Sequence, residues 1–251
     1  LPDHTYYGFR NCVGAFFEMP TSDARALLPA HLEPLEMQHT RSILALTAFQ
    51  FTQSEAGEYE EIVLAVIVPP MIEVGKQIPK AAFYPFMVGT STEASRLHAI
   101  ERWHLPHYMK DLEISFTESE LQMDVNVRDG GDAVLDFTVT KHDYVPSKHL
   151  YNAFTVEEGV DGHFKANIYM EAPHSEHEEE GGSLTLYEHP MTEGLTLDDI
   201  NAYPFREQWY EEGLQTFEPL LTLVERVPAN THHNRHKHDD KHQQTVEVAL
   251  L

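Results

Sequence analysis

The stretch SILALTAFQFTQSEAGEYEEIVLAVIV, residues 42–68, decides the fold. Two runs rich in Ile, Leu, Val and Phe, at 42–51 and 61–68, flank the polar loop 54–58, which contains a glycine. Short apolar runs bounded by turn residues are typical of buried strands, and the short loop favours an antiparallel pair. The second run is too short to cross a bilayer. We therefore expect a soluble, strand-rich protein without transmembrane helices.

Similar patterns extend in both directions along the chain. Capping residues followed by Pro29 predict a short helix at 22–28, and apolar residues every third position from Ala94 to Trp103 predict a second helix at 91–103. The sequence Asp129–Asp132, with two central glycines, is typical of a tight hairpin turn. Further strands are predicted at 112–117, 120–128, 133–141, 150–158, 163–171, 183–188 and 217–226.

Three further predictions concern the second half of the chain. The acidic segment His174–Gly182 is interpreted as a solvated loop, and 198–203 and 206–209 as short helical turns. Residues 229–244 include five histidines and few apolar residues, a composition typical of a disordered segment that binds metals adventitiously. The chain is therefore divided into one domain, 1–228, and a His-rich tail, 229–251.

Composition excludes several classes of protein. The 251 residues include 17 Lys and Arg against 41 Asp and Glu, a formal charge of −24 that would repel nucleic acids. The single cysteine, Cys12, cannot form an internal disulfide framework or a cysteine-based metal site. The given sequence shows no signal-peptide pattern, either because none existed or because processing has removed it, and the cytoplasm is the favoured location. No nucleotide-binding or serine-hydrolase motif appears.

One group of residues has spacing compatible with a metal site. His98, Glu101, His104 and His107 lie close together where the predicted helix ends near Pro106. Imidazoles and a carboxylate can bind zinc or another divalent ion, although ordinary surface or hydrogen-bonding histidines fit the same spacing. Both interpretations stay open at this point.

Several motifs, taken in order, resemble the acetoacetate decarboxylase family. They are an N-terminal strand with Arg10, a helix ending in Leu-Leu-Pro-x-x-Leu-Glu-Pro-Leu at 27–35, and Gly-x-Tyr-x-Glu at 57–61. The resemblance extends from Tyr7 to Tyr108. It implies a mainly β (α+β) fold, namely a closed β-barrel or cone with a few short helices. Homo-oligomerisation is expected from the resemblance alone.

The resemblance also assigns site residues. The lysine that forms a Schiff base in this family falls on His107, and its neighbouring lysine falls on Tyr108, so neither position can form an imine. Arg10 and Glu61 match substrate-pocket positions, and Lys110 is the nearest lysine. We expect His107, Glu61 and Glu101 to be catalytic.

The expected ligand is a small oxo-acid or ketone. Arg10, Tyr108 and Tyr59 are expected to bind it, with Arg10 holding a carboxylate. The leading hypothesis is a lyase, isomerase or hydratase that uses general acid–base chemistry without an imine or a cofactor. One alternative is an enzyme dependent on a divalent metal such as zinc, with His98 and His104 as ligands, and another is a binding protein without activity.

Overall fold

The computed structural model describes residues 3–157, 162–178 and 181–223, so the predicted His-rich tail lies outside the described residues. Two short α-helices and thirteen strands follow one another along these segments, with two 3₁₀ turns at Pro190–Thr192 and Leu197–Asp199. The elements are β1 (Thr5–Pro20), α1 (Thr21–Leu27), β2 (Glu36–Gln38), β3 (Arg41–Gln53), β4 (Tyr59–Val68), β5 (Ala81–Thr90), α2 (Glu93–Trp103), β6 (Glu113–Glu118), β7 (Gln122–Asp129), β8 (Asp132–Thr140), β9 (Val145–Glu157), β10 (Gly162–His177), β11 (Ser183–Leu186), β12 (Arg206–Phe217) and β13 (Leu221–Leu223).

Seven strands close into a barrel. Their order is β1-β12-β10-β9-β5-β4-β3, and β3 pairs with β1 to complete the ring. All these pairs are antiparallel except β5 with β9, which pair in parallel over Ala81–Phe83. The predicted mainly β fold with a closed barrel is therefore confirmed.

A second sheet, with strand order β11-β8-β7-β6, packs against the outside of the barrel. Val13 and Phe17 of β1 belong to the core between this sheet and the barrel, together with Phe137 of β8. The alternate residues Cys12 and Phe16 face the barrel interior, where they line cavities. Both faces of the barrel strands are buried where the second sheet covers them. The sequences of these strands are therefore continuous apolar runs, and apolar and polar residues do not alternate along them.

Helix α2 begins at the predicted place but buries a different face. Thr92 caps it by accepting a hydrogen bond from the Ser95 backbone N–H. Ser95, Ala99 and Trp103 are buried, four residues apart, whereas Leu97 is 45% exposed. The predicted three-residue stripe was therefore wrong, because positions four apart also share one face of a helix.

Two other predictions were wrong. Residues 206–209, predicted as a helical turn, begin strand β12, and the predicted acidic loop starts within β10, where His174 and Ser175 are buried. Pairing between β10 and β12 supplies the backbone hydrogen bonds of both segments and overrides their polar composition. The Asp129–Asp132 turn is confirmed, with positive φ at both Gly130 and Gly131.

None of the described helices is long and apolar enough to span a membrane.

Candidate active site

The barrel interior contains a cavity of about 120 Å³ that is partly open to solvent, which we name the Glu61 cavity. Most of its wall is apolar and comes from residues that include Phe49, Val63, Phe83, Val88, Ile168, Met170 and Phe217. The polar residues in the wall are Cys12, Thr47, Glu61, Tyr151, Thr155, Gln208, Tyr210 and Gln215. A mostly apolar cavity with a few polar groups is typical of a small-molecule site.

Glu61 is the only ionisable carboxylic acid among the described residues that line this cavity, and it is 8% exposed. Burial raises the pKa of Glu61 to about 8 because a carboxylate loses its hydration there. The adjacent Glu60 instead accepts a hydrogen bond from the Ser91 hydroxyl at 2.8 Å. The Glu61 carboxyl is therefore mainly protonated at neutral pH, and it can exchange a proton near that pH.

A pair of tyrosines lies on other strands of the same cavity. The hydroxyl oxygens of Tyr151 on β9 and Tyr210 on β12 are 2.5 Å apart, and both residues are buried. In the ring of seven strands, β12 lies on the far side from β4, which carries Glu61. Burial raises the pKa of both tyrosines well above the usual range. Both phenols therefore stay neutral and can act as hydrogen-bond donors.

The tyrosine pair continues outward to a histidine. The Tyr210 hydroxyl lies 2.7 Å from His149 Nδ1, and the Tyr151 hydroxyl donates to Gln208 Oε1 at 3.3 Å. Burial lowers the pKa of His149, which favours the neutral imidazole. The hydrogen-bonded chain fixes both phenols and orients their protons.

Two smaller polar groups, Cys12 and Thr155, also line the cavity. Burial raises the pKa of the Cys12 thiol, so Cys12 is a thiol rather than a nucleophilic thiolate. The buried Thr155 hydroxyl has no hydrogen-bond partner among the described residues. It is thus available to a ligand in the cavity.

The family comparison agrees with the fold. A model described as acetoacetate decarboxylase (ADC) matches residues 2–205 of the chain. The chain belongs to the acetoacetate decarboxylase family. The matched segment contains Glu61 and Tyr151 but ends just before β12, so Gln208 and Tyr210 lie beyond it.

Solved structures of this fold are distant in sequence. The enduracididine biosynthesis enzyme MppR complexed with pyruvate is 11% identical, with a TM-score of 0.59 over 88% of this chain and 90% of that chain. Acetoacetate decarboxylase from Legionella pneumophila is 15% identical, with a TM-score of 0.58 over 87% of each chain. An acetoacetate decarboxylase-like enzyme from Sphingomonas wittichii is 12% identical, with a TM-score of 0.55 over 88% and 92%. No curated protein sequence matches this chain.

The position expected for the lysine of the acetoacetate decarboxylase family, His107, lies beside the cavity wall. It forms an isolated parallel bridge with Val88, which lines the Glu61 cavity, but His107 itself is not a lining residue. His107 Nδ1 lies 2.9 Å from the Tyr108 carbonyl oxygen, which makes Nδ1 the donor and leaves Nε2 as an acceptor. Nε2 is buried without a hydrogen-bond partner among the described residues, and burial lowers the pKa of His107.

None of the described lysines lines the Glu61 cavity. Lys110 is exposed and donates to Asp129 at 3.0 Å, and this carboxylate raises the pKa of the Lys110 amine. Lys165 is buried but forms an ion pair with Glu73. Both amines are therefore held by carboxylates, in contrast to the neutral amine that an imine requires.

Arg10, the predicted carboxylate ligand, is exposed and does not line the cavity. The pairing of β1 with β3 shifts register between Phe9 and Asn11. Such an irregularity changes the direction in which side chains point. Phe9, rather than Arg10, belongs to the buried cluster that contains Cys12. The structure therefore does not bring Arg10 to Glu61.

The structure does not bring the candidate metal ligands together. The His98 ring accepts or donates a hydrogen bond at 2.6 Å with the Tyr7 hydroxyl, Glu101 is exposed, and His104 stacks on Phe164. No three His, Cys, Asp or Glu side chains in the described part of the chain are placed to hold a metal ion. The helix ends at Trp103, and the positive φ of His104 turns the chain away, so His104 and His107 do not continue the helix that carries His98.

The two predicted substrate-binding tyrosines also lie outside the lining of the Glu61 cavity. Tyr59 is buried against Phe51, with ring centroids 4.8 Å apart. The Tyr108 hydroxyl donates to Asp129 at 2.5 Å, and His189 contacts the same carboxylate at 3.3 Å. Of the predicted site residues, only Glu61 lines this cavity.

Sequence reasoning missed Tyr151, Gln208 and Tyr210. No short motif contains them, and Gln208 falls in the segment that was predicted as a helical turn. A strand interpretation of Arg206–Phe217 would have placed Gln208 and Tyr210 on one face, because alternate residues of a strand share a face. Their meeting with Tyr151 depends on which strands become neighbours.

Proposed function

We propose that the chain is an enzyme that moves a proton on the carbon next to the carbonyl group of a small uncharged ketone, without forming an imine. The supporting observation is the position of Glu61, a carboxylic acid with a pKa of about 8, in an apolar cavity. Membership in the acetoacetate decarboxylase family supports action on a small molecule. Since no Lys, Arg or His among the described residues lines the cavity, the proposed ligand is uncharged.

In the proposed reaction, the Glu61 carboxylate removes a proton from the α-carbon. The C–H electron pair forms the enolate double bond, and the carbonyl π pair moves to oxygen. The Tyr210 hydroxyl donates a hydrogen bond to that oxygen and accepts one from His149 Nδ1–H, whereas the Tyr151 proton is directed to Gln208. The protonated Glu61 then exchanges its proton with solvent and returns a solvent-derived proton to the same carbon, which is the exchange reaction. With a β,γ-unsaturated ketone, delivery of the proton to the γ-carbon of the dienolate would instead isomerise the ketone.

The pKa of Glu61 suits this role. A general base works best when its pKa lies near the working pH, and a carboxylate with an ordinary pKa is a weaker base. Because only the carboxylate form removes a proton, the rate should rise with pH and level off above about 8. His107 and Glu101 have no role in this proposal because neither lines the cavity.

Deuterium exchange tests the proposal. Purified protein is incubated in D₂O with acetone, 2-butanone or acetylacetone, and NMR follows the loss of α-protons. We expect faster exchange than with buffer alone, and Glu61→Gln should reduce it by about 10²–10⁴-fold, the usual scale for a general base. Glu58→Gln is the matched control because Glu58 is exposed in the loop before β4. Equal exchange with Glu61→Gln would contradict the proposal.

A binding protein without activity is the second candidate, favoured by the position of the family's lysine at His107. Ketone binding with no exchange above the buffer rate would support this candidate. Borohydride treatment in the presence of each ketone distinguishes the proposed reaction from a mechanism with an imine, because borohydride traps an imine on a lysine. A labelled lysine would contradict the imine-free reaction.

A further inference from the structure

A second cavity lies inside the barrel on the other side of Tyr151 and Gln208, which line both cavities. It has a volume of about 140 Å³, and we name it the Lys80 cavity. Its apolar wall includes Phe16, Ile43 and Ile67. The proposed function does not use this cavity.

Three charged residues line the Lys80 cavity: Lys80, Glu176 and Arg206. Lys80 forms an ion pair with Glu176, and Arg206 Nε lies 3.5 Å from the other oxygen of the same carboxylate. Two cations therefore share one carboxylate within the lining. This is unusual in a chain with a formal charge of −24.

The Arg206 guanidinium has an unused donor. Its Nη2 contacts the exposed Glu178 at 2.5 Å. Its buried Nε has the ion-pair contact with Glu176 at 3.5 Å but makes no hydrogen bond to any described residue. A buried donor without a partner carries a free-energy cost, which an added acceptor would remove. The oxygen of a ligand carboxylate is such an acceptor, and it would also attract Lys80.

We propose that the Lys80 cavity binds a small organic monocarboxylate. The ligand carboxylate accepts hydrogen bonds from Arg206 Nε and Lys80 Nζ, and its short apolar chain contacts Phe16, Ile43 and Ile67. Glu176 competes with the ligand for the same cations. The proposal is independent of the proposed reaction, since it uses neither Glu61 nor the tyrosine hydroxyls.

Isothermal titration calorimetry on the full chain tests the site. The probes are butyrate and hexanoate, and butyramide and hexanamide are their uncharged counterparts of similar shape. We expect each carboxylate to bind at least tenfold more tightly than its amide. Equal affinity of acid and amide, or no binding of either acid, would overturn the proposal.

Variants identify the residues involved. Arg206→Gln and Lys80→Met should each weaken hexanoate binding at least tenfold, and either one suffices if the other variant does not fold. Glu176→Gln should tighten binding because it removes the competing carboxylate, whereas the control Glu171→Gln, which removes an exposed ion pair with Lys148 outside the lining, should leave binding unchanged. Unchanged affinity in a folded Arg206→Gln or Lys80→Met protein would refute the site.

The two proposals fail in distinguishable ways. Glu61→Gln should leave hexanoate binding unchanged, because Glu61 does not line the Lys80 cavity. Absence of deuterium exchange in the wild-type protein, with hexanoate binding present, would contradict the proposed reaction alone. Deuterium exchange in a protein that does not bind hexanoate would contradict only the proposed monocarboxylate site.

Discussion

The hydroxyl oxygens of Tyr151 and Tyr210 lie 2.5 Å apart, although the two residues are on strands that do not pair with each other. Strand β10 lies between their strands, so the contact crosses the interior of the barrel above it. Tyr210 also contacts His149 at 2.7 Å. The interior wall between the two cavities is thus held by hydrogen bonds as well as by packing.

Tyr210→Phe should remove both hydrogen bonds of this hydroxyl with little change in shape. We expect the free energy of unfolding to fall by about 1–2 kcal/mol, because the partners Tyr151 and His149 lose a buried contact. If the proposed reaction is correct, α-proton exchange should also fall by about 10²-fold, the scale for one lost oxyanion donor. Urea unfolding and exchange by NMR measure the two effects. Tyr169→Phe, whose hydroxyl contacts Glu218 at 3.2 Å, is the control and should keep the exchange rate.

Glu61 should make the protein less stable as pH rises. The pKa of Glu61 is about 8 in the folded protein against an ordinary value of 4.5, so between these values the folded state holds a proton that the unfolded state has lost. Below about pH 4.5, Glu61 does not lower the free energy of unfolding. Between about pH 4.5 and about pH 8, its ionisation in the unfolded state lowers the free energy of unfolding by about 1.4 kcal/mol per pH unit.

Urea unfolding of wild type and Glu61→Gln between pH 5 and 8 checks this sign. The Gln variant should gain stability relative to wild type as pH rises, because its amide does not ionise. Glu58→Gln should follow wild type. A constant difference between wild type and Glu61→Gln over this range would show that Glu61 has an ordinary pKa.

Gly14→Ala should disturb the wall between the two cavities. A Cβ at this position would lie 3.0 Å from Gln208 Nε2, so the Gln208 side chain must shift. We expect a loss of about 1 kcal/mol, at the lower end for overpacking because the obstacle is a flexible side chain. In a Gln208→Ala background the same substitution should cost less. A double-mutant cycle measures this coupling, and additive effects would argue against the contact.

Glu73→Gln should destabilise the protein through Lys165. Lys165 is buried and forms an ion pair with Glu73, which lowers the pKa of that carboxyl. Loss of the carboxylate would leave a buried ammonium without its counter-charge, at a cost of about 2 kcal/mol. Glu33→Gln, which removes an exposed ion pair with Arg25, should leave the free energy of unfolding nearly unchanged. Equal effects of both substitutions would contradict this role for Lys165.

Most of the strand pattern was readable from the sequence. The runs at 42–51 and 61–68 became β3 and β4, and the two glycines of Asp129–Asp132 formed the expected turn. These features depend on local composition and on turn chemistry, which short stretches of sequence encode. The segments 174–177 and 206–209 were misjudged, since their strand structure comes from pairing between β10 and β12.

The candidate site was readable only in part. The motif at 57–61 led to Glu61, which does line the cavity. Arg10 did not reach it, because a local register shift in β1 is not visible in the residue types. His107 and Tyr108 lie outside the lining of the Glu61 cavity.

By itself, the sequence determined a strand-rich chain and a resemblance to the acetoacetate decarboxylase family, and this resemblance led us to expect a histidine at the position of the family's lysine. Only the tertiary structure decided that Tyr151, Gln208 and Tyr210 meet inside the barrel and that Arg206 and Lys80 share Glu176. The physical reason is that barrel closure pairs strands far apart in the chain. Strand register then decides which side chains face one another, and burial decides how far they are removed from water. Neither depends on the neighbouring residues in the sequence.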